Sequence, residues 1–216
     1  MIKWSFSGIK DFTTCPRQYH EVKILQNYVK AVTEKMQYGT DVHKALEDYA
    51  RDKTPLPLFY QKYKPAIDAL LEIPGEKYLE HKMALTIDKV PCAFDAPDYW
   101  VRGIVDFMVV DGDYAHIIDY KTGSPRYADT NQLKLMALMT FALFPQVNNI
   151  KAALLFITKG GFADEAYTRD QIDKMWKVFE PSLTWLSSAF EHNAWPPRPN
   201  AFCRSCPVST CEYHKG

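Results

Sequence analysis

No stretch of this chain is apolar for long enough to cross a bilayer as a helix. The longest runs, such as LMALMTFALF at 135–144, fall well short of the ~18 residues that a span needs. Charge of one sign is missing too: Lys plus Arg and Asp plus Glu number 26 each, so no global basic field announces a polyanionic partner. Any nucleic-acid surface must be local. The opening MIKWSFSGIKDF lacks the apolar core of a signal peptide, which predicts a cytoplasmic protein without a membrane partner. In such a reducing compartment, five cysteines do not make a disulfide framework. Internal repeats and low-complexity tracts are absent as well, which excludes solenoids and disordered linkers.

What remains is globular. With 216 residues, 47% hydrophobic and 24% charged, the chain can bury one substantial core. Ser5 or Ser7 can cap a first helix carrying Ile9 and Phe12, with CPR at 15–17 near its middle or at a break. A second helix runs from GTDVHKALEDYARDK at 39, and LFYQKYKPAIDALLEI at 58–73 reads as a third, breakable near Pro65. From Tyr78 the pattern becomes strand-like. A helix over about 131–144 stops at Pro145, IKAALLFIT at 150–158 has buried-strand length, and another strand follows near 162–168. One long helix is expected over roughly 170–191, with Ile172, Met175, Trp176, Phe179, Leu183 and Leu186 as its inner stripe. The order predicts an α/β (α+β) core, a mixed central sheet flanked by helices. A mainly helical part at 1–77, a core at 78–191 and a cysteine-rich tail at 192–216 would form one domain.

Between these elements lies GIVDFMVVDGDYAHIIDYKTG, residues 103–123, in which strand sequence carries aspartates that strands disfavour. Asp111-Gly112 predicts a tight hairpin turn. If those two residues form the loop, Val110 pairs with Asp113 and Asp106 is diagonal to Asp119, within roughly 7–8 Å on one face with Ile104, Ile117 and Lys121. A Gly112-Asp113 loop preserves that shared face; a three-residue loop does not. Paired carboxylates beside a lysine suit divalent-metal chemistry, in which oxygens hold Mg²⁺ or Mn²⁺ and the lysine steadies developing phosphate charge. A surface hairpin with a cross-strand ion pair would carry the same residues.

GIVD followed by IIDYKTG resembles the core signature of the PD-(D/E)XK nuclease superfamily, specifically its RecB-like branch. Asp106, Asp119 and Lys121 match its acidic and lysine positions, GTDVH matches an upstream helical GxxxH-type motif through His43, and YLEHKMAL offers Glu80 where many members carry a strand glutamate. Gln132 begins a QxxxY-like motif in which Met136 replaces the tyrosine. The resemblance implies a restriction-endonuclease-like core. His43, Asp106, Asp119 and the Tyr120 carbonyl would hold the metal, Lys121 would orient water, and Glu80 and Gln132 would join the catalytic set. DNA, single-stranded or with free ends, would be the substrate of an exonuclease. A non-catalytic DNA-binding subunit and a structure-selective endonuclease are the alternatives.

Cys203, Cys206 and Cys211 crowd CRSCPVSTC, and Cys15 lies near the other end in CPRQY. Three thiols in one loop suggest metal ligation, with a distant fourth closing a tetrahedral or cuboidal centre. Members of the RecB-like branch, the AddB-type and CRISPR-adaptation nucleases, hold a [4Fe-4S] cluster with one N-terminal and three C-terminal cysteines. The resemblance therefore implies a cluster at these four, as a clamp on the C-terminal tail, with structural Zn²⁺ as the alternative. Cys92 reads as an inert thiol.

Overall fold

The protein is described here by a computed structural model covering residues 1–215, the side chain of Tyr127 excepted. Seven α-helices and five strands are present among the described residues: α1 Phe6–Thr14, α2 Pro16–Tyr19, α3 Glu34–Asp52, α4 Lys64–Leu71, β1 Glu76–Leu85, β2 Val101–Asp111, β3 Tyr114–Lys121, α5 Asn131–Leu143, β4 Asn149–Phe156, β5 Phe162–Thr168, α6 Ile172–Lys177 and α7 Glu180–Glu191. They divide into two compact units, Met1–Thr33 with Lys177 onward, and Glu34–Trp176. Among the described residues no helix is long and apolar enough to cross a membrane.

Residues 34–176 form the expected mixed sheet flanked by helices. Its strands lie in chain order, β1-β2-β3-β4-β5, antiparallel except for the parallel pair β3 and β4. A parallel neighbour needs a long crossover, and residues 122–148 supply it with α5. That helix is apolar on nearly every side, with Leu133, Leu135 to Met139 and Phe141 buried, as befits a helix inside a core. Its one buried hydroxyl, Thr140, bonds back to the Met136 carbonyl at 2.9 Å. On the other face, Val42, Leu46 and Tyr49 of α3 and Ile67 of α4 pack against Phe107 and Val109 of β2, the amphipathic stripe that the helical spacing predicts.

The hairpin turn corrects the expected register. Asp111 pairs with Tyr114 and Val110 with Ala115, so Gly112-Asp113 is the loop. Of these two, Gly112 alone takes a positive φ, +56°. A turn with glycine first asks for one left-handed residue, whereas a loop of Asp111-Gly112 asks for two, one of them an aspartate.

In the other unit, Ser5 caps α1 by accepting the Gly8 N–H at 3.2 Å. Of the two readings of CPR, the middle of a helix or a break, the structure has the break: Cys15 is extended ahead of Pro16, which disfavours helical backbone in the residue before it. Buried Phe12 meets Tyr19, Trp185 and Trp195 in an aromatic core. The single helix expected over 170–191 is instead two, α6 and α7, with Pro181 in the first turn of α7. Proline has no N–H to return to residue 177 and its ring crowds that carbonyl. The apolar stripe continues through the break, so its period conceals it.

Cys15, Cys203, Cys206 and Cys211 all line one small cavity of this unit, together with Gln18 and His214. All are free thiols. Among the described residues, no three of them bring their sulfurs mutually within 4.8 Å. The thiols are spread around a space rather than collapsed onto a point, and a clamp is not evident from their positions.

Candidate metal site

The site lies where β1, β2 and β3 stop behaving as regular strands. Register places Glu80 opposite Asp106, between the Leu79–Phe107 and His81–Val105 pairs. Glu80 takes φ +46°, a left-handed conformation costing a non-glycine residue on the order of 1–3 kcal/mol. Side-chain alternation changes phase here. Met108 and Met83 both approach Thr140 of α5, and Gly103 abuts Met139 of the same helix; Phe107, by contrast, packs with α3 and α4. Strict alternation would send Asp106 toward α5 with Met108. Asp106 faces His43 of α3 instead, at 3.4 Å. Two consecutive residues of β2, Asp106 and Phe107, therefore serve the same side of the sheet.

On its other flank Asp106 spoils a ladder to useful effect. The β2–β3 pairing ends at Phe107–Ile118, and Oδ2 of Asp106 accepts the Tyr120 N–H at 2.6 Å. A carboxylate thus replaces a backbone carbonyl as partner of β3. One ligand atom each from His43, Glu80 and Asp106 lies within 4.8 Å of the other two.

Asp119 stands outside that triad. It is 3% exposed, and its Oδ1 accepts the Gln132 Nε2 hydrogen at 2.6 Å. Its Oδ2 pairs with the Lys121 ammonium at 2.5 Å yet has no aligned hydrogen bond; the contact is charge against charge. Lys121 Nζ also donates to Gln132 Oε1 at 2.8 Å. Gln132, at the start of α5, thereby fixes both partners with its two ends. Met136, one turn on, is buried in the core and takes no part. Gly39 lets α3 come close to β3, since a Cβ there would meet the Thr122 hydroxyl at 3.3 Å.

Electrostatically the site is overcrowded with negative charge. Burial, then the Asp106 charge, pushes the Asp119 carboxyl up to about 6. Glu80 is pushed up to about 7 by burial, Asp106 and Glu47, against the opposing pull of His43. For His43, burial is the largest influence and favours the neutral ring, but the Asp106 hydrogen bond and the charges of Asp106, Asp119 and Glu80 together raise it above its ordinary value. Glu47 is the acidic neighbour that sequence reasoning missed. It sits four residues after His43 on one face of α3, where it pairs with Arg51; that i, i+4 spacing was the available signal.

Known protein structures share features of this fold. An Eubacterium rectale protein described as a candidate exonuclease superposes with a TM-score of 0.57 at 13% identity, over 97% of this chain and 88% of that one; at such identity the likeness shows the fold. A structure described as SSO0001 aligns over 100% of this chain and 88% of its own, at 14% identity and a TM-score of 0.48. No curated protein matches the chain significantly. The family model of the PD-(D/E)XK nuclease superfamily matches residues 3–211, which takes in every side chain of the site just described, and to that superfamily the chain belongs.

Proposed function

We propose that this protein is a divalent-metal-dependent deoxyribonuclease, an exonuclease acting on single-stranded DNA or DNA ends. The convergence of His43, Glu80 and Asp106 beside the Asp119–Gln132–Lys121 network carries the reading. The donor set suits Mn²⁺ or Mg²⁺, for imidazole and carboxylate oxygens are their ligands. The raised carboxyl groups of Glu80 and Asp119 also describe a site short of positive charge. His43, Glu80 and Asp106 would hold the metal, with Asp119 and the Tyr120 carbonyl at its margin. Once bound, a metal acidifies a water ligand and offsets charge on the scissile phosphate. Lys121, held by Gln132 and Asp119, presents an ammonium for the phosphate oxygens. Asp106 ties the triad to β3 through Tyr120, and Glu80 is pointed at the triad by its left-handed backbone.

In the other unit, we propose that Cys15, Cys203, Cys206 and Cys211 hold a [4Fe-4S] cluster. In support, three of these sulfurs accept N–H bonds, from Arg198 to Cys15 at 3.5 Å, Asn200 to Cys203 at 3.4 Å and the Gln18 side chain to Cys206 at 3.6 Å. N–H bonds to ligating sulfurs are one of the means by which a protein sets a cluster's potential. A tetrahedral zinc with Zn–S of about 2.3 Å would draw the sulfurs to roughly 3.8 Å, closer than the spread seen here.

End-labelled linear single-stranded DNA, incubated with Mn²⁺ or Mg²⁺ and protein purified without oxygen, tests the nuclease. Cleavage by wild type and its loss in Asp119→Ala is the expected result; equal cleavage by the variant removes the central premise. A circular strand left intact identifies the exonuclease, and a nicked circle an endonuclease. Iron and sulfide at four each per chain, lost in Cys203→Ala, is the expected cluster assay, and zinc in their place overturns it.

A further inference from the structure

The same phase change that turns Asp106 toward α3 leaves an open strip of sheet beside the metal site. Because Gly103 faces Met139 of α5, its neighbours Arg102 and Ile104 point to the opposite side, the side of Asp106. Across the ladder, Lys82 pairs with Ile104 just as Glu80 faces Asp106. At ~3.3 Å per residue, Ile104 lies about 7 Å and Arg102 about 13 Å along β2 from Asp106.

This strip is not covered as a core strand would be. Ile104 is 37% exposed, the Arg102 side chain 38% exposed, and Lys82 exposed. Both cations approach Phe94, Lys82 Nζ at 5.5 Å and the Arg102 guanidinium carbon at 4.9 Å from its ring centre. Tyr99 stacks on the guanidinium as well, at 4.6 Å. One acid, Asp95, approaches Arg102 at 3.5 Å.

We infer that Lys82, Phe94, Arg102 and Ile104 form a track that receives single-stranded DNA and leads it to the carboxylates. The inference rests on the nuclease reading above and specifies where its substrate lies. Phosphates need cations, and the strip supplies two in a chain that is neutral overall. Unpaired bases offer flat apolar faces that Phe94 and Ile104 can take, whereas a duplex keeps those faces inside its stack. Arg102 lies against the rings of Phe94 and Tyr99, which restrain a guanidinium whose N–H fork suits phosphate oxygens. Asp95 competes for the same guanidinium and holds the track below its full affinity.

Equilibrium binding of a fluorescent oligothymidylate to the full chain in EDTA, followed by anisotropy, tests the track without any cleavage. Phe94→Ala is expected to weaken binding about 5- to 150-fold, the value of one lost stacking partner. Lys82→Ala combined with Arg102→Ala should flatten the slope of log affinity against log salt by about 1.4, two single-strand phosphate contacts. Asp95→Asn should tighten binding, and because it touches nothing buried it decides the matter even if Phe94→Ala fails to fold. Unchanged affinity and salt slope in the cation variants, or Asp95→Asn without effect, overturns the track while cleavage by wild type leaves the nuclease standing. Equal affinity for duplex of the same sequence also overturns it. Wild type that neither binds single strands at low salt nor cleaves them with Mn²⁺ overturns both.

Discussion

The two halves of the β2–β3 hairpin are built from one ladder and behave as opposites. Toward the turn, Phe107 to Asp111 pair in register with Tyr114 to Ile118, and Phe107, Met108, Val109, Ala115 and Ile117 are fully buried. Toward the other end the ladder gives out, Glu80 beside it is left-handed, and three acids share a small space. The first half is where folding free energy is gained. The second spends some of it, through backbone strain and carboxylates held away from water, to keep charges in place for a cation. Structure and site are thus separated by a single residue step, from Phe107 to Asp106.

Substitutions on either side of that step test the contrast. Largest is Phe107→Ala, expected to cost about 3–5 kcal/mol of unfolding free energy by emptying a core position. Urea titration measures it, and Mn²⁺ affinity of the remaining folded protein should hardly move. Next is Gln132→Leu, which frees Asp119 and Lys121 from their shared positioning group; cleavage should fall about 10- to 100-fold, and unfolding free energy by about 1–3 kcal/mol for the buried Asp119 oxygen left unpaired. A loss confined to KM would mean that Gln132 acts on DNA and not on its neighbours.

Smaller and opposite in sign is Glu80→Gly. Releasing the left-handed backbone strain should stabilise the metal-free protein by about 1–3 kcal/mol while weakening Mn²⁺ binding, seen as a smaller metal-induced rise in Tm. Glu80→Gln separates strain from charge, since it keeps the first and removes the second. The subtlest effect is in pH. Glu80 is pushed from its ordinary 4.5 up to about 7, so folding favours its protonated form. That contribution is complete below pH 4.5 and disappears as pH rises through about 7. Metal-free wild type should therefore lose Tm across that window relative to Glu80→Gln, and added Mn²⁺ should restore more at pH 8 than at pH 5.

Much of the site could be read along the chain. Asp106, Asp119 and Lys121 stand out because strand sequence disfavours aspartate, His43 and Gln132 only through the motifs that resemble the superfamily's, and the structure brings the five into one neighbourhood. Glu80 was legible as a residue but not as a conformation, since YLEHKMAL alternates like any strand and nothing in it marks a left-handed φ. Its effect, reversing which faces β1 and β2 present, was hidden for the same reason. The turn was ambiguous at its root, because DGD offers two adjacent two-residue loops and only backbone angles choose between them. The break before α7 was visible as Pro181 yet overridden by an apolar stripe that keeps its period across it. Thiol spacing brought Cys15 together with Cys203, Cys206 and Cys211, but not the distances between them, which depend on three loops at once.

The division of the chain into Glu34–Trp176 and the residues flanking it on both sides has a consequence for biosynthesis. The sheet, with every residue of the metal site, is complete in the growing chain before Lys177 is added, so its sequence precedes the second half of the other unit in synthesis. Cys203 is synthesised 188 residues after Cys15, a wait of roughly 10–40 s at about 5–20 residues per second. Until that later stretch is made, the Cys15 thiol has none of the three companions with which it shares a cavity.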